Sequence, residues 1–307
     1  MTNAETQVRM PAISLAAVPG RRRQTVELAT EIENQGFSGI FCPSMGDAMG
    51  LCLSIAHATS RLEFGTSVQP IYLQHPNALA ASAAYIHEIA EGRFRLGIGV
   101  THGPVHSQLG VNPGRPLSDI RDYVASMRSA GERVGGLPPI TLATLRDKMV
   151  GLSVDISEGA VWANASRSRM AHSLSLIPDE RRAEGFYVGN MIPTVIDDDR
   201  EAGAARNRAT LKGYVTLPNY RNYWKEAGYE QEMTAVESAM EAKDADGILA
   251  AMSDEWLSDC TLYGSAGQVR DGVEAWFDAG VSSPILVPSS TSGGQMKAFA
   301  ELFDAFA

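Results

Sequence analysis

The chain has 307 residues, of which 44% are hydrophobic and 20% charged, with a net charge of −10; it is therefore rich enough in apolar residues to bury a large core. No run of Lys and Arg is interleaved with aromatics, which argues against nucleic acid as a partner, and no apolar run approaches the roughly 20 residues that a membrane span needs. Cys42, Cys52 and Cys260 are scattered without a C-x-x-C spacing and the first eleven residues are polar, so the expectation is a reducing, cytoplasmic setting with no disulfide framework and no signal peptide.

Residues 12–18 form an apolar run closed by Pro19 and Gly20, and 25–35 follow with Val26, Ala29 and Ile32 at helical spacing before Gly36. Residues 39–42 read as a second strand, with Leu51, Ile55 and Ala58 on one face of the helix after it. A third strand over 62–68 leads to a helix over 77–90. The fourth strand begins at Phe94, and its helix over 117–127 turns Ile120, Tyr123, Val124 and Met127 inward. The alternation continues with strands at 139–145, 159–163 and 186–195, each followed by a helical pattern. An eighth strand at 283–287 precedes a C-terminal helix bearing Phe299, Leu302, Phe303 and Phe306. Eight strand-helix units predict an α/β fold, a (β/α)8 TIM barrel spanning 1–307 as one domain. The interval of about 217–261 is too long for a connection and carries helical patterns at 231–242 and 246–257; it is read as a helical insertion before the last strand-helix unit, followed by a helix over 265–279.

In such barrels ligands bind at the C-terminal ends of the strands, so Thr101 and His102, just past the fourth strand, are candidates for a site or for a simple loop cap. Gly97 and Gly99 within that strand allow another backbone or a flat ligand to come close. Ser44, Ser67, Thr101, His102 and Asn164 all follow or end a predicted strand and are expected at a single mouth. His57, His87 and His172 fall on helices and read as surface or packing residues, and His75 as a rim residue. His106 lies near His102, but no third ligand stands at a supporting spacing, so no metal site is expected. The short glycine pattern does not complete G-x-G-x-x-G, and no G-x-S-x-G elbow is present.

The segments Phe64-Gly65-Thr66-Ser67-Val68, His75-Pro76, Gly92-Arg93-Phe94, Leu96 to His102, Gly213-Tyr214, Leu217 to Tyr220 and Asp278 to Val281 together resemble the luciferase-like monooxygenase superfamily, in particular its branch that uses the deazaflavin coenzyme F420. The resemblance implies a non-prolyl cis peptide at Ser67-Val68 behind the cofactor ring, with Gly99, Val100, Thr101 and His102 holding that ring. It places Thr144, Leu145, Arg146 and Lys148 where relatives open a phosphate-binding turn, although Arg146 and Asp147 replace the family's glycine and proline; the two basic residues either meet the anionic tail or face solvent. Ala163 and Asn164, with Arg167 beyond them, complete the expected cofactor side. At the end of strand two, Pro43, Ser44 and Met45 stand where sugar-phosphate dehydrogenases carry an acid and a histidine, implying a less ionic substrate pocket. The implied function is hydride transfer between F420 and a small organic substrate, with His102 as the proton-transfer residue and a homodimer as the assembly. The alternatives are an FMN-dependent monooxygenase and a non-catalytic cofactor-binding protein.

Overall fold

The computed structural model describes residues 9–307. Eight parallel strands close into a ring: Ala12–Ser14, Gly39–Cys42, Glu63–Thr66, Phe94–Gly99, Ile140–Ala143, Gly159–Ala163, Tyr187–Ile196 and Ser283–Ser289. Neighbours pair in chain order, and the ring shuts where Ser283 lies beside Gly189 and Ile285 beside Ala12. This is the (β/α)8 barrel that the alternation predicts.

The strands are short and buried on both faces because each is covered outside by helices and inside by its opposite numbers. Helices face the barrel with the apolar stripes read from sequence. The one at Pro116–Val134, for instance, starts on a proline, buries Ile120, Tyr123, Val124 and Met127, and ends at the left-handed Gly135. Inside, Ala12, Phe41, Val161, Tyr187 and Ile285 form a separate cluster with Val68 and Met191 against it. Phe41 and Tyr187 belong to strands two and seven, which are not neighbours, and their rings meet across the barrel at 5.6 Å. Below them, Arg95 lies 4.4 Å over the Tyr187 ring and pairs with Glu63 at 3.1 Å, so a cation-π contact and an ion pair close the N-terminal end.

The third strand stops at Thr66 and resumes as Gln69–Pro70 beside Ile98 and Gly99, and the Ser67-Val68 peptide in the gap is cis, as the resemblance implies. Gly97 is needed for this step: a Cβ there would sit 2.1 Å from the Thr66 carbonyl oxygen, while the Thr66 hydroxyl donates to the Gly97 carbonyl at 2.6 Å.

Three expectations change. The first strand ends at Ser14, and Leu15 to Val18 instead climb the wall, with Leu15 in the core and Ala16 and Val18 reaching the mouth. The helix expected over 246–257 is two, Ala245–Ala250 and Asp254–Cys260, because Ser253 between them caps the second by accepting from the Trp256 amide. A further strand, Leu262–Gly264, pairs with Thr194–Ile196 at the far end of the long seventh strand; three residues are too few to show a periodicity.

Candidate active site

At the C-terminal ends of the strands a cleft of about 1020 Å³ opens. Its floor is the top of the interior cluster: Val68, Val161 and Met191 belong to both. The five polar rim residues expected at one mouth, Ser44, Ser67, Thr101, His102 and Asn164, all line it. Pro43, Met45, Val100, Thr144, Leu145, Arg146, Lys148 and Ala163 line it too.

Three of the predicted residues lie outside the described lining. Gly99 is below the surface, where an added Cβ would meet Ala143 Cβ and Val68 Cγ2 at 2.8 Å each, so its lack of a side chain makes room for these two. Arg167 is also absent from the lining, since the chain after Asn164 turns into the short helical stretch Arg167–Arg169. His75, read as a rim residue, caps the helix Pro76–Ile89 by accepting from the Asn77 amide.

Thr101 and Asn164 stand out in the wall. Each follows a barrel strand, and each has a positive φ, 54° and 57°, a region that β-branched residues in particular avoid. Among the described residues Thr101 Oγ1 is a buried atom without a hydrogen-bond partner, and the Asn164 amide has only the neighbouring Tyr214 hydroxyl beside it. The helices after the seventh strand fix Asn164 from behind. Trp224 Nε1 donates to its carbonyl at 3.3 Å, the Ser166 amide donates to the Tyr223 hydroxyl at 3.0 Å, and Trp256 packs edge-on against Trp224 at 4.9 Å.

His102 rests edge-on against Tyr220 at 5.5 Å, and Tyr220 in turn leans on Trp224 at 5.3 Å. Burial, reinforced by the neighbouring His106, lowers the His102 pKa below its usual 6.5, so its imidazole is neutral at pH 7. His106 itself is occupied: its Nε2 donates to the Val100 carbonyl at 2.7 Å and its ring lies edge-on to Tyr72. Among the described residues no group of three or more His, Cys, Asp or Glu is placed to hold a metal ion.

The charge of the lining is one-sided. Among the described residues it contains Arg146, Lys148 and Arg206 and no Asp or Glu, in a chain whose net charge is −10. Arg146 is already engaged, however, through Nε to Glu226 at 3.0 Å and through a second, shorter contact to the same carboxylate, which Arg169 shares. Arg206, on the helix Arg200–Val215, was not legible in the sequence because it sits in a polar helix with no local motif. Gly293 and Gly294, before the amphipathic helix Gln295–Phe306, also line the cleft, and that paired-glycine start was a readable signal.

A family model described as luciferase-like monooxygenase matches residues 6–283. A protein of Mycobacterium tuberculosis provisionally named a coenzyme F420-dependent oxidoreductase is 26% identical, over 90% of this chain and 93% of its own. Among solved structures, the coenzyme F420 dependent tetrahydromethanopterin reductase from Methanopyrus kandleri superimposes with a TM-score of 0.72 at 14% identity, covering 96% of this chain and 97% of that one. The oxygenating constituent of 3,6-diketocamphane monooxygenase from Pseudomonas putida, in complex with FMN, does so with a TM-score of 0.61 at 17% identity, covering 96% and 95%. At these identities the structures show a shared fold.

Proposed function

The chain belongs to the luciferase-like monooxygenase family, and from that premise we propose that it is an oxidoreductase that uses a deazaflavin of the F420 type on a small organic substrate. The observation that carries this reading is the trio Arg146, Lys148 and Arg206, of which Glu226 engages Arg146, in a cleft whose described lining holds no Asp or Glu in an acidic protein, a setting that suits an anionic cofactor tail. The orphaned Thr101 Oγ1, with the Asn164 amide beside Tyr214, fits the polar edge of a flat heterocycle, since a ligand's donors and acceptors would satisfy it. The apolar floor of Val68, Val161 and Met191 fits its face. FMN shares these demands; the F420 name of the aligned M. tuberculosis relative favours the deazaflavin.

The bound deazaflavin supplies a two-electron hydride carrier. The protein's part is to orient, to exclude water and to manage a proton. Thr101 and Asn164 fix orientation because their backbones are held by strand ends and, for Asn164, by Trp224. His102 is neutral near pH 7 and so carries one ring nitrogen able to accept a proton and one N–H able to donate, beside the cofactor floor.

Titration of the purified chain with F420 and with FMN, followed by absorbance and fluorescence, tests the reading. Tighter binding of F420 is expected. Preference for FMN would move the protein to the oxygen-using side of its family, and binding of neither would remove the enzymatic reading.

A further inference from the structure

Among the described residues five large hydrophobic side chains are exposed: Met45, Leu73, Tyr85, Leu117 and Met296. Three of them, Met45, Leu73 and Leu117, line this one cleft. Their exposures are 66%, 46% and 36%, so apolar surface is concentrated at the mouth rather than scattered over the molecule. They come from consecutive loops. Met45 follows the second strand, Leu73 ends the turn after the third, and Leu117 opens the helix after the fourth, with Val105 between Leu117 and His102. The cations occupy the other arc: Arg146 and Lys148 follow the fifth strand, and Arg206 lies on the helix after the seventh.

The cleft is thus divided into a cationic arc and an apolar arc, with His102 on the apolar side and, among the described residues, no carboxylate lining either. A cationic substrate would meet only like charge. An anionic one would be drawn to the arc that suits the cofactor tail. On the basis of the oxidoreductase reading, we infer that the apolar arc of Met45, Leu73, Val105 and Leu117 is the substrate subsite and that it takes an uncharged, predominantly apolar organic molecule. Continuity with the cleft supports a small molecule as the occupant: the three side chains share one cavity with His102 instead of forming a flat outer patch. Met45, unbranched and polarizable, adapts to differing outlines.

The test uses Prodan, a neutral fluorescent naphthyl ketone, titrated into the full chain, with Met45→Glu, Leu117→Glu, their double variant and Tyr85→Glu as comparison. Met45 and Leu117 are exposed, so their variants should melt with the parent protein, which is checked on the same samples. The double variant is expected to bind Prodan at least tenfold more weakly, and Tyr85→Glu, on an exposed helix face outside the cleft, to bind it unchanged. Competition by 2-butanone through 2-octanone should tighten roughly fourfold per methylene, the equivalent of ~0.8 kcal/mol per buried CH₂. Equal Prodan affinity in all variants overturns the inference. So does unchanged Prodan affinity with conversion of a sedimenting dimer to monomer, which would make the arc a contact between two copies. F420 and FMN titrations of the same samples separate the two readings: failure to bind either cofactor counts against the oxidoreductase reading, and Prodan binding indifferent to the glutamates counts against the apolar subsite.

Discussion

Thr101 combines a φ of 54° with a buried hydroxyl that has no partner among the described residues, two costs that folding alone does not require. Thr101→Val keeps the side chain's shape and removes the orphan. The free protein is therefore expected to melt at an equal or higher temperature while cofactor affinity falls about 5- to 20-fold, the worth of one lost hydrogen bond; a drop in melting temperature with unchanged affinity would assign the hydroxyl to the fold. His102 gives a second prediction. His102→Gln should reduce turnover roughly 10²- to 10⁴-fold with cofactor affinity little changed. Burial and then His106 lower the His102 pKa, so as pH falls from 6.5 the unfolded chain takes up this proton first, and the His102 contribution to stability is lost through that window down to the lowered folded value. The pH profile of kcat/KM should show an ionisation below 6.5 that disappears in the Gln variant. His102 and Thr101 were legible as strand-end residues. The positive φ of Thr101 was not, because nothing local in Gly99-Val100-Thr101 demands it; it arises from how the strand end meets the loop.

Strand four shows why elements were easier to read than their contacts. Its glycines announced close approach, but the sequence could not say to what: Gly97 makes room for the Thr66 carbonyl and Gly99 for the side chains of Val68 and Ala143. A backbone neighbour cannot yield, whereas side chains can shift. Gly97→Ala is accordingly expected to destabilise by about 1–3 kcal/mol and Gly99→Ala by less, as chemical denaturation of the two variants will show. The eight strands followed from short apolar runs bounded by turn residues, and most helices from a single apolar stripe. The cis peptide at Ser67-Val68 came through resemblance only, as Ser-Val has no intrinsic preference for it. Helical patterns over 231–257 were legible, but the helix Pro218–Glu226 and the task of this segment were not. Tyr220, Tyr223 and Trp224 are buried, and they deliver the backing for His102 and Asn164, a contact of long sequence separation that no local pattern encodes.

At the scale of the molecule, charge is arranged against composition: the chain's net charge is −10, while the described lining of the cleft holds three cations and no acid. Lys148→Glu combined with Arg206→Glu should weaken cofactor binding at least tenfold, and the parent affinity should fall as salt is raised, since screening acts over about 10 Å at 0.1 M. Arg146 complicates this picture because Glu226 holds it now. That pair is about half exposed on the Arg146 side and a third on the Glu226 side, a setting in which ion pairs contribute roughly 0–1 kcal/mol, so a ligand anion can replace the carboxylate at little cost. Glu226→Gln removes the internal competitor while keeping a side chain of the same shape beside Arg146 and Arg169. It should leave the melting temperature within a few degrees of the parent and tighten the binding of an anionic cofactor about two- to fivefold at low ionic strength, with the gain disappearing as salt rises. Weaker binding in this variant would show that Glu226 positions Arg146 for the anion rather than withholding it.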